Sequence, residues 1–145
     1  MKSQGLDVPL MGGDGIFDPK YIELAGATSK GDLSTSVGAP TDSHRAGKTF
    51  LDQYKTAGYA EPAAAYGGYA YDAANAIIEA LNGPEGRQGA SSPLAPTPHR
   101  LGKVSFDGVT GKVAFDEFGD TTTKVLTVYK VTGGAWKAEK TDEFK

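Results

Sequence analysis

The stretch LMGGDGIFDP, residues 10–19, holds the residue type and spacing best suited to chemistry. Asp14 stands between Gly13 and Gly15 at the end of a strand-like run, with Phe17 and Tyr21 close behind. A carboxylate in that place has two readings. Asp and Gly are favoured in turns by their own backbone chemistry, so the segment can be a turn and nothing more. It can also be a ligand-binding carboxylate. In open α/β sheets ligands bind beyond the carboxyl ends of the strands. Flanking glycines let the backbone come close to a small ligand. A carboxylate suits an ammonium group, which brings three donors. An enzyme using Asp14 as general base would need an acid or nucleophile within hydrogen-bond reach. The sequence offers no such set, so no catalytic residue is assigned and the chain is not expected to be an enzyme.

Other candidates fall away. His44 and His99 are the two histidines and share no metal-ligand spacing. Asp107, Asp116, Glu117 and Asp120 lack the alternating oxygen ligands of a calcium loop and read as turn formers. Ser34, Ser36 and Ser43 lie outside any G-x-S-x-G context. Tyr66, Tyr69 and Tyr71 read as helix-packing aromatics, and no dinucleotide or P-loop fingerprint accompanies them. No cofactor and no metal are expected.

The elements that must position Asp14 follow from local pattern. Residues 7–11, DVPLM, read as a short buried strand. Asp18 and Pro19 read as N-cap and N1 of a helix over KYIELAG that buries Tyr21, Ile22 and Leu24 and stops at Gly26. GDLSTSVG, residues 31–38, alternates Leu33, Thr35 and Val37 as a strand does. A helix capped by Thr41 or Asp42 buries Phe50, Leu51 and Tyr54 and ends at Gly58. EPAAAYGGYAYDAANAIIEALNG is the strongest helix, with Tyr69, Ala73, Ala76, Ile77 and Ala80 as its close-packing face. Residues 83–100 hold four of the eight prolines, and neither helix nor strand is expected there. Short strands Val104–Phe106 and Lys112–Phe115 follow, then a longer hairpin turning at Thr132-Gly133-Gly134.

Composition narrows the partners. The chain has 145 residues and a net charge of −3, with its basic residues scattered, so nucleic acid is not expected. The absence of cysteine removes disulfides and thiol chemistry. No run is long and apolar enough to span a bilayer, and MKSQGLDVPL shows no signal-peptide core.

Three stretches in order, PLMGGDGIFDP, YGGYAYDAANAIIEAL and VSFDGVTGKVAFDEFGDTTTKVLTVYKV, resemble the C-terminal part of bacterial branched-chain amino acid binding proteins. These are type 1 periplasmic binding proteins that serve ABC importers. The resemblance covers residues 1–82 and 102–145, and its F-D-G-x-x-G-x-x-x-F-D-x-x-G-D run is the most specific part. It implies an α/β, incomplete type 1 periplasmic-binding-protein fold with parts of both lobes, completed by dimerisation or swapping. It assigns residues 1–38 to lobe 2, 39–121 to lobe 1 with an irregular loop at 83–100, and 122–145 to lobe 2 again. It implies non-catalytic capture of a Leu/Ile/Val-like amino acid, with Asp14 on the ammonium group and Gly13, Gly15, Phe17 and Tyr21 around it. Many members carry Glu where this chain has Asp14. The implied partners are the ligand, an ABC transporter permease, and a second copy or an N-terminal half. The implied location is extracytoplasmic. The alternative is a truncated remnant or assembly partner with no ligand binding of its own.

Overall fold

Gly133 and Gly134 take positive φ angles of 64° and 76°. That two-residue turn matches the twist of the strands it joins and sets their register. The computed structural model describes residues 4–82 and 97–144. The chain divides into two compact units, Met1–Pro40 with Val125–Lys145, and Thr41–Lys124.

The first unit is built on a four-stranded sheet, ordered β1 (Met11–Gly12), β2 (Leu33–Val37), β5 (Val125–Thr132) and β6 (Ala135–Glu143). β1 runs parallel to β2, and the other pairs are antiparallel. The buried side of β2 carries Ser34 and Ser36, beside Thr127, Tyr129 and Val131 of β5. Two of these hydroxyls end at carbonyls. Ser34 donates to Gly13 O at 2.8 Å and Thr127 to Gly38 O at 2.7 Å. At the outer edge, β6 carries Lys137, Glu139, Lys140, Asp142 and Glu143, and a bulge at Val128/Tyr129 breaks its ladder. Charge and bulge together discourage pairing with another strand.

Two expectations fail in this unit. Residues 7–11 do not form a buried strand. Only Met11–Gly12 pair, and Leu6, Val8 and Met11 are exposed. Pro9 has no N–H to give, and β1 is an edge strand with a neighbour on one side. Helix α1 (Pro19–Ala25) starts as expected, with Asp18 accepting from Lys20 N–H at 2.6 Å, but Leu24 is 78% exposed.

The second unit holds helices α2 (Arg45–Ala57), α3 (Gly67–Asn82) and α4 (Thr97–Leu101) and the hairpin β3 (Ser105–Gly108) and β4 (Gly111–Ala114). Its core is Ala76, Ala80 and Val104, with Leu101, Phe106, Val113 and Phe115 against them. Thr41 and Asp42 do not cap α2. They form a 3-10 turn, and His44 stands at the N-cap without a side-chain bond. α3 starts at Gly67, later than expected, and buries Gly68, Asp72, Ala76 and Ala80 while Ala73 and Ile77 face outward. The strict spacing of four selects that face, because the buried carboxylate of Asp72 has its partners there. α4 corrects the expected loop over 83–100 at its end, where a short helix leads into β3; residues 83–96 of that stretch lie outside the described residues.

Asp72 is 3% exposed. It accepts from Val109 N–H at 2.9 Å, Thr110 N–H at 2.9 Å and the Thr110 hydroxyl at 2.6 Å. Val109 and Thr110 are the two residues of the β3–β4 turn, so one carboxylate holds the hairpin tip on α3. Gly108 is needed beside it, since a Cβ there would lie 2.5 Å from Asp72 Oδ2.

Candidate ligand-binding site

Asp14 begins a 3-10 turn, Asp14–Ile16, directly after β1, and its side chain is exposed. Phe17 N–H closes the turn on Asp14 O at 2.9 Å, and Ile16 N–H donates to Gly13 O at 3.2 Å. Gly13 O also takes the hydroxyl of Ser34, which has no solvent exposure. The backbone below Asp14 is therefore fixed from the neighbouring strand.

The glycines differ in what they do. A Cβ on Gly12 would meet Ile16 Cδ1 at 2.6 Å, so Gly12 leaves room for that side chain. Gly13 and Gly15 face open space, with no heavy atom within 4 Å of where a Cβ would stand. Neither has a positive φ, so the turn itself does not demand glycine at either position.

Asp32 anchors the start of this segment. It is 4% exposed and accepts from Leu10 N–H at 2.8 Å and from the Tyr21 hydroxyl at 2.7 Å. One carboxylate thus ties the entry to β1 and helix α1 to the start of β2. Burial, followed by the hydrogen bond to Asp32 and the Asp32 charge, pushes the Tyr21 hydroxyl up to about 12. The Phe17 ring lies 4.0 Å from Tyr129 and 5.9 Å from Trp136, centre to centre, and Tyr21 lies 5.7 Å from Trp136. Trp136 Nε1–H donates to Asp18 O at 3.1 Å.

The predicted residues accordingly separate by role in the fold. Asp14, Gly13 and Gly15 share the exposed turn. Phe17 and Tyr21 belong to an aromatic cluster that seats α1 on the sheet. Of the residues that hold the turn in place, Asp32 was not singled out from the sequence, and Ser34 was weighed there only as a hydrolase serine and set aside. Their signal was the parity of the strand: Asp32, Ser34 and Ser36 alternate with Leu33, Thr35 and Val37, and the polar set is the buried one. Among the described residues no His, Asp or Glu group is arranged to hold a metal ion. No helix among them is long and apolar enough to cross a membrane.

Over 97% of its length this chain superposes on the leucine binding protein LivK of Thermotoga maritima, with a TM-score of 0.78, 26% identity and 39% of that protein covered. It carries part of a type 1 periplasmic-binding-protein fold. In sequence it is 28% identical to the Leu/Ile/Val-binding protein homolog 1 of Brucella suis, over 93% of this chain and 34% of that one. The chain thus spans about a third of the length of the curated relatives it matches. Both likenesses fit the C-terminal portion of a branched-chain amino acid binding protein, as the resemblance implied. A solute binding protein of Rhodopseudomonas palustris, solved with p-hydroxybenzoic acid, shares the fold alone, with a TM-score of 0.68 and 19% identity over 98% of this chain and 38% of that one. No protein-family model matches the chain.

Proposed function

We propose that this chain is a ligand-contacting segment of a solute-binding protein for branched-chain or related amino acids serving an ABC importer. It captures its ligand without making or breaking bonds, and Asp14 takes the α-ammonium group. The observation that carries this reading is an exposed carboxylate at the carboxyl end of a parallel strand, on a turn pinned by Ser34 and open beside Gly13 and Gly15. Of the five predicted residues, those three form the contact surface. Phe17 and Tyr21 support it from the aromatic cluster. In this reading the two units are parts of two lobes, and the work is done outside the cytoplasm.

Affinity of the chain by itself is expected to be low. One charge-assisted contact contributes about 1.5–3 kcal/mol. A dissociation constant of about 1 mM already requires about 4 kcal/mol. The test is an amide NMR titration of the chain with leucine, 3-methylbutylamine and 4-methylpentanoate. Leucine and the amine should shift the signals of Gly13, Asp14 and Gly15 at millimolar concentration. The acid, which lacks the ammonium group, should not. Asp14→Ala should abolish both responses. Responses that survive in Asp14→Ala, or a stronger response to the acid, would remove Asp14 from the ammonium site. Saturation at micromolar leucine would overturn the expectation of low affinity.

A further inference from the structure

The chain carries two Asp-Gly steps, Asp14-Gly15 and Asp107-Gly108. In such a step the glycine nitrogen can attack the preceding carboxyl, because glycine has no side chain to crowd the approach. The structure separates the two. At the first, Asp14 and Gly15 are both exposed, and no heavy atom lies within 4 Å of where a Gly15 Cβ would stand. Gly15 N–H makes no hydrogen bond among the described residues. Turning it toward the carboxyl opens one short turn, closed by Phe17 N–H on Asp14 O. At the second, Gly108 stands in the β3–β4 ladder opposite Gly111 and packs against the Asp72 carboxylate. The next two residues give that carboxylate three hydrogen bonds. Movement there must undo the hairpin tip.

We propose that Asp14-Gly15 is a site of spontaneous isomerisation, in which Asp14 passes through a cyclic imide to isoaspartate and the carboxylate is withdrawn from its place on the turn. Gly15 N bonds to Asp14 Cγ, and a carboxyl oxygen leaves as water with the N–H and carboxyl protons. Water then adds to the main-chain carbonyl carbon of Asp14. The bond from that carbon to Gly15 N breaks, and the chain continues through Cγ. No oxidant or cofactor enters, and the mass returns to its starting value. The carbonyl that held Phe17 N–H becomes a free carboxylate attached directly to Cα, and the main chain gains a methylene. Both the turn and the reach of the carboxylate change. That the converted chain loses an ammonium contact rests on the reading of Asp14 given above; the isomerisation does not.

The test is to incubate the folded chain in warm, mildly acidic buffer, where a neutral carboxyl sheds water, and to map its tryptic peptides by electron-transfer fragmentation. Isoaspartate should build up at position 14 about tenfold faster than at 107, a difference in barrier of about 1.4 kcal/mol. In urea the two steps should convert alike. Gly15→Ala, whose Cβ meets nothing, should keep the parent circular dichroism and convert about tenfold more slowly at 14. Equal conversion at 14 and 107 in the folded chain would overturn the inference. So would an Asp14 that stays unconverted when folded but converts in urea. The same bias in urea would trace the selection to local sequence and overturn the part given to the fold. The aged chain should lose its NMR response to 3-methylbutylamine in proportion to the isoaspartate measured. A full response from a converted chain would overturn the withdrawal of the carboxylate and, with it, the reading of Asp14 as the ammonium site, while the isomerisation would stand.

Discussion

Asp72 and Gly108 form a pair whose energetics can be worked from the structure. Asp72→Ala removes the acceptor of three hydrogen bonds at the tip of the β3–β4 hairpin. Bonds to a charged acceptor contribute about 1.5–3 kcal/mol each, but these three share one carboxylate. Its removal also relieves the cost of burying a charge. A net loss of about 3 kcal/mol follows, a large part of a stability of about 5–15 kcal/mol. Gly108→Ala acts on the same carboxylate from the other side, because its Cβ would stand 2.5 Å from Oδ2 and 2.6 Å from Oδ1. The carboxylate must retreat by about 1 Å and lose bond geometry, at about 2 kcal/mol. In the Asp72→Ala background there is nothing left to strike. The double variant should therefore be no less stable than Asp72→Ala alone, a coupling of about 2 kcal/mol. Urea unfolding read by helical circular dichroism measures it, since α2 and α3 contribute 13 and 16 helical residues and α1 only 7. Trp136, the single tryptophan, reports the first unit separately by fluorescence. Additive losses within about 0.5 kcal/mol would refute the mechanism, and so would an Asp72→Ala loss below that size.

Gly47 is buried, and a Cβ on it would lie 1.8 Å from Thr41 O and 2.9 Å from Val109 O, both backbone atoms. Gly47→Ala should cost about 3 kcal/mol or more in the same unfolding assay, and a loss under about 1 kcal/mol would show that the α2 entry yields. The Tyr21 hydroxyl, pushed up to about 12 by burial and then by Asp32, keeps its proton more tightly when folded. Its contribution is thus fully present below the ordinary tyrosine range near pH 10 and is lost as pH rises through about 12. Between those limits the parent chain should lose stability faster than Tyr21→Phe, as read by Trp136 fluorescence; parallel curves would contradict the Tyr21–Asp32 linkage. Asp32→Ala leaves Leu10 N–H and the Tyr21 hydroxyl without that acceptor, and should unfold the first unit at lower urea by about 2–4 kcal/mol while leaving the helical signal of the second unit in place.

Local chemistry was the legible part of this fold. Asp18-Pro19 opens α1, Gly58 closes α2 in the left-handed region, and Gly133-Gly134 turns the last hairpin, each because a few adjacent atoms decide the conformation. The α/β class and the exposed turn at Asp14 came from the same kind of reading, aided by the order of three motifs. Burial was less legible, because it depends on partners distant in sequence. Leu10 meets Asp32 across 22 positions, and Val109 meets Asp72 across 37. Nothing near Asp72 in the sequence marks it as buried, and an alternating strand does not say which parity faces inward. Polar parity won at the centre of β2, where the Ser34 hydroxyl finds carbonyls at Gly13 and Thr35 that a larger apolar side chain could not satisfy.

The carboxylates therefore divide by environment. Asp32 and Asp72 are buried, and donors from distant segments converge on each. Such groups fix backbone, and exchanging them moves stability. Asp14 is held by its backbone, through Gly13 and Phe17, while its side chain projects from the turn. An exposed side chain on a turn held by backbone bonds is cheap to replace in folding terms. Asp14→Ala should leave the urea midpoint of Trp136 fluorescence within about 0.5 kcal/mol of the parent. That outcome would separate the residue offered for ligand contact from those that build its platform. A loss comparable to Asp32→Ala would instead return Asp14 to the turn reading with which the sequence began.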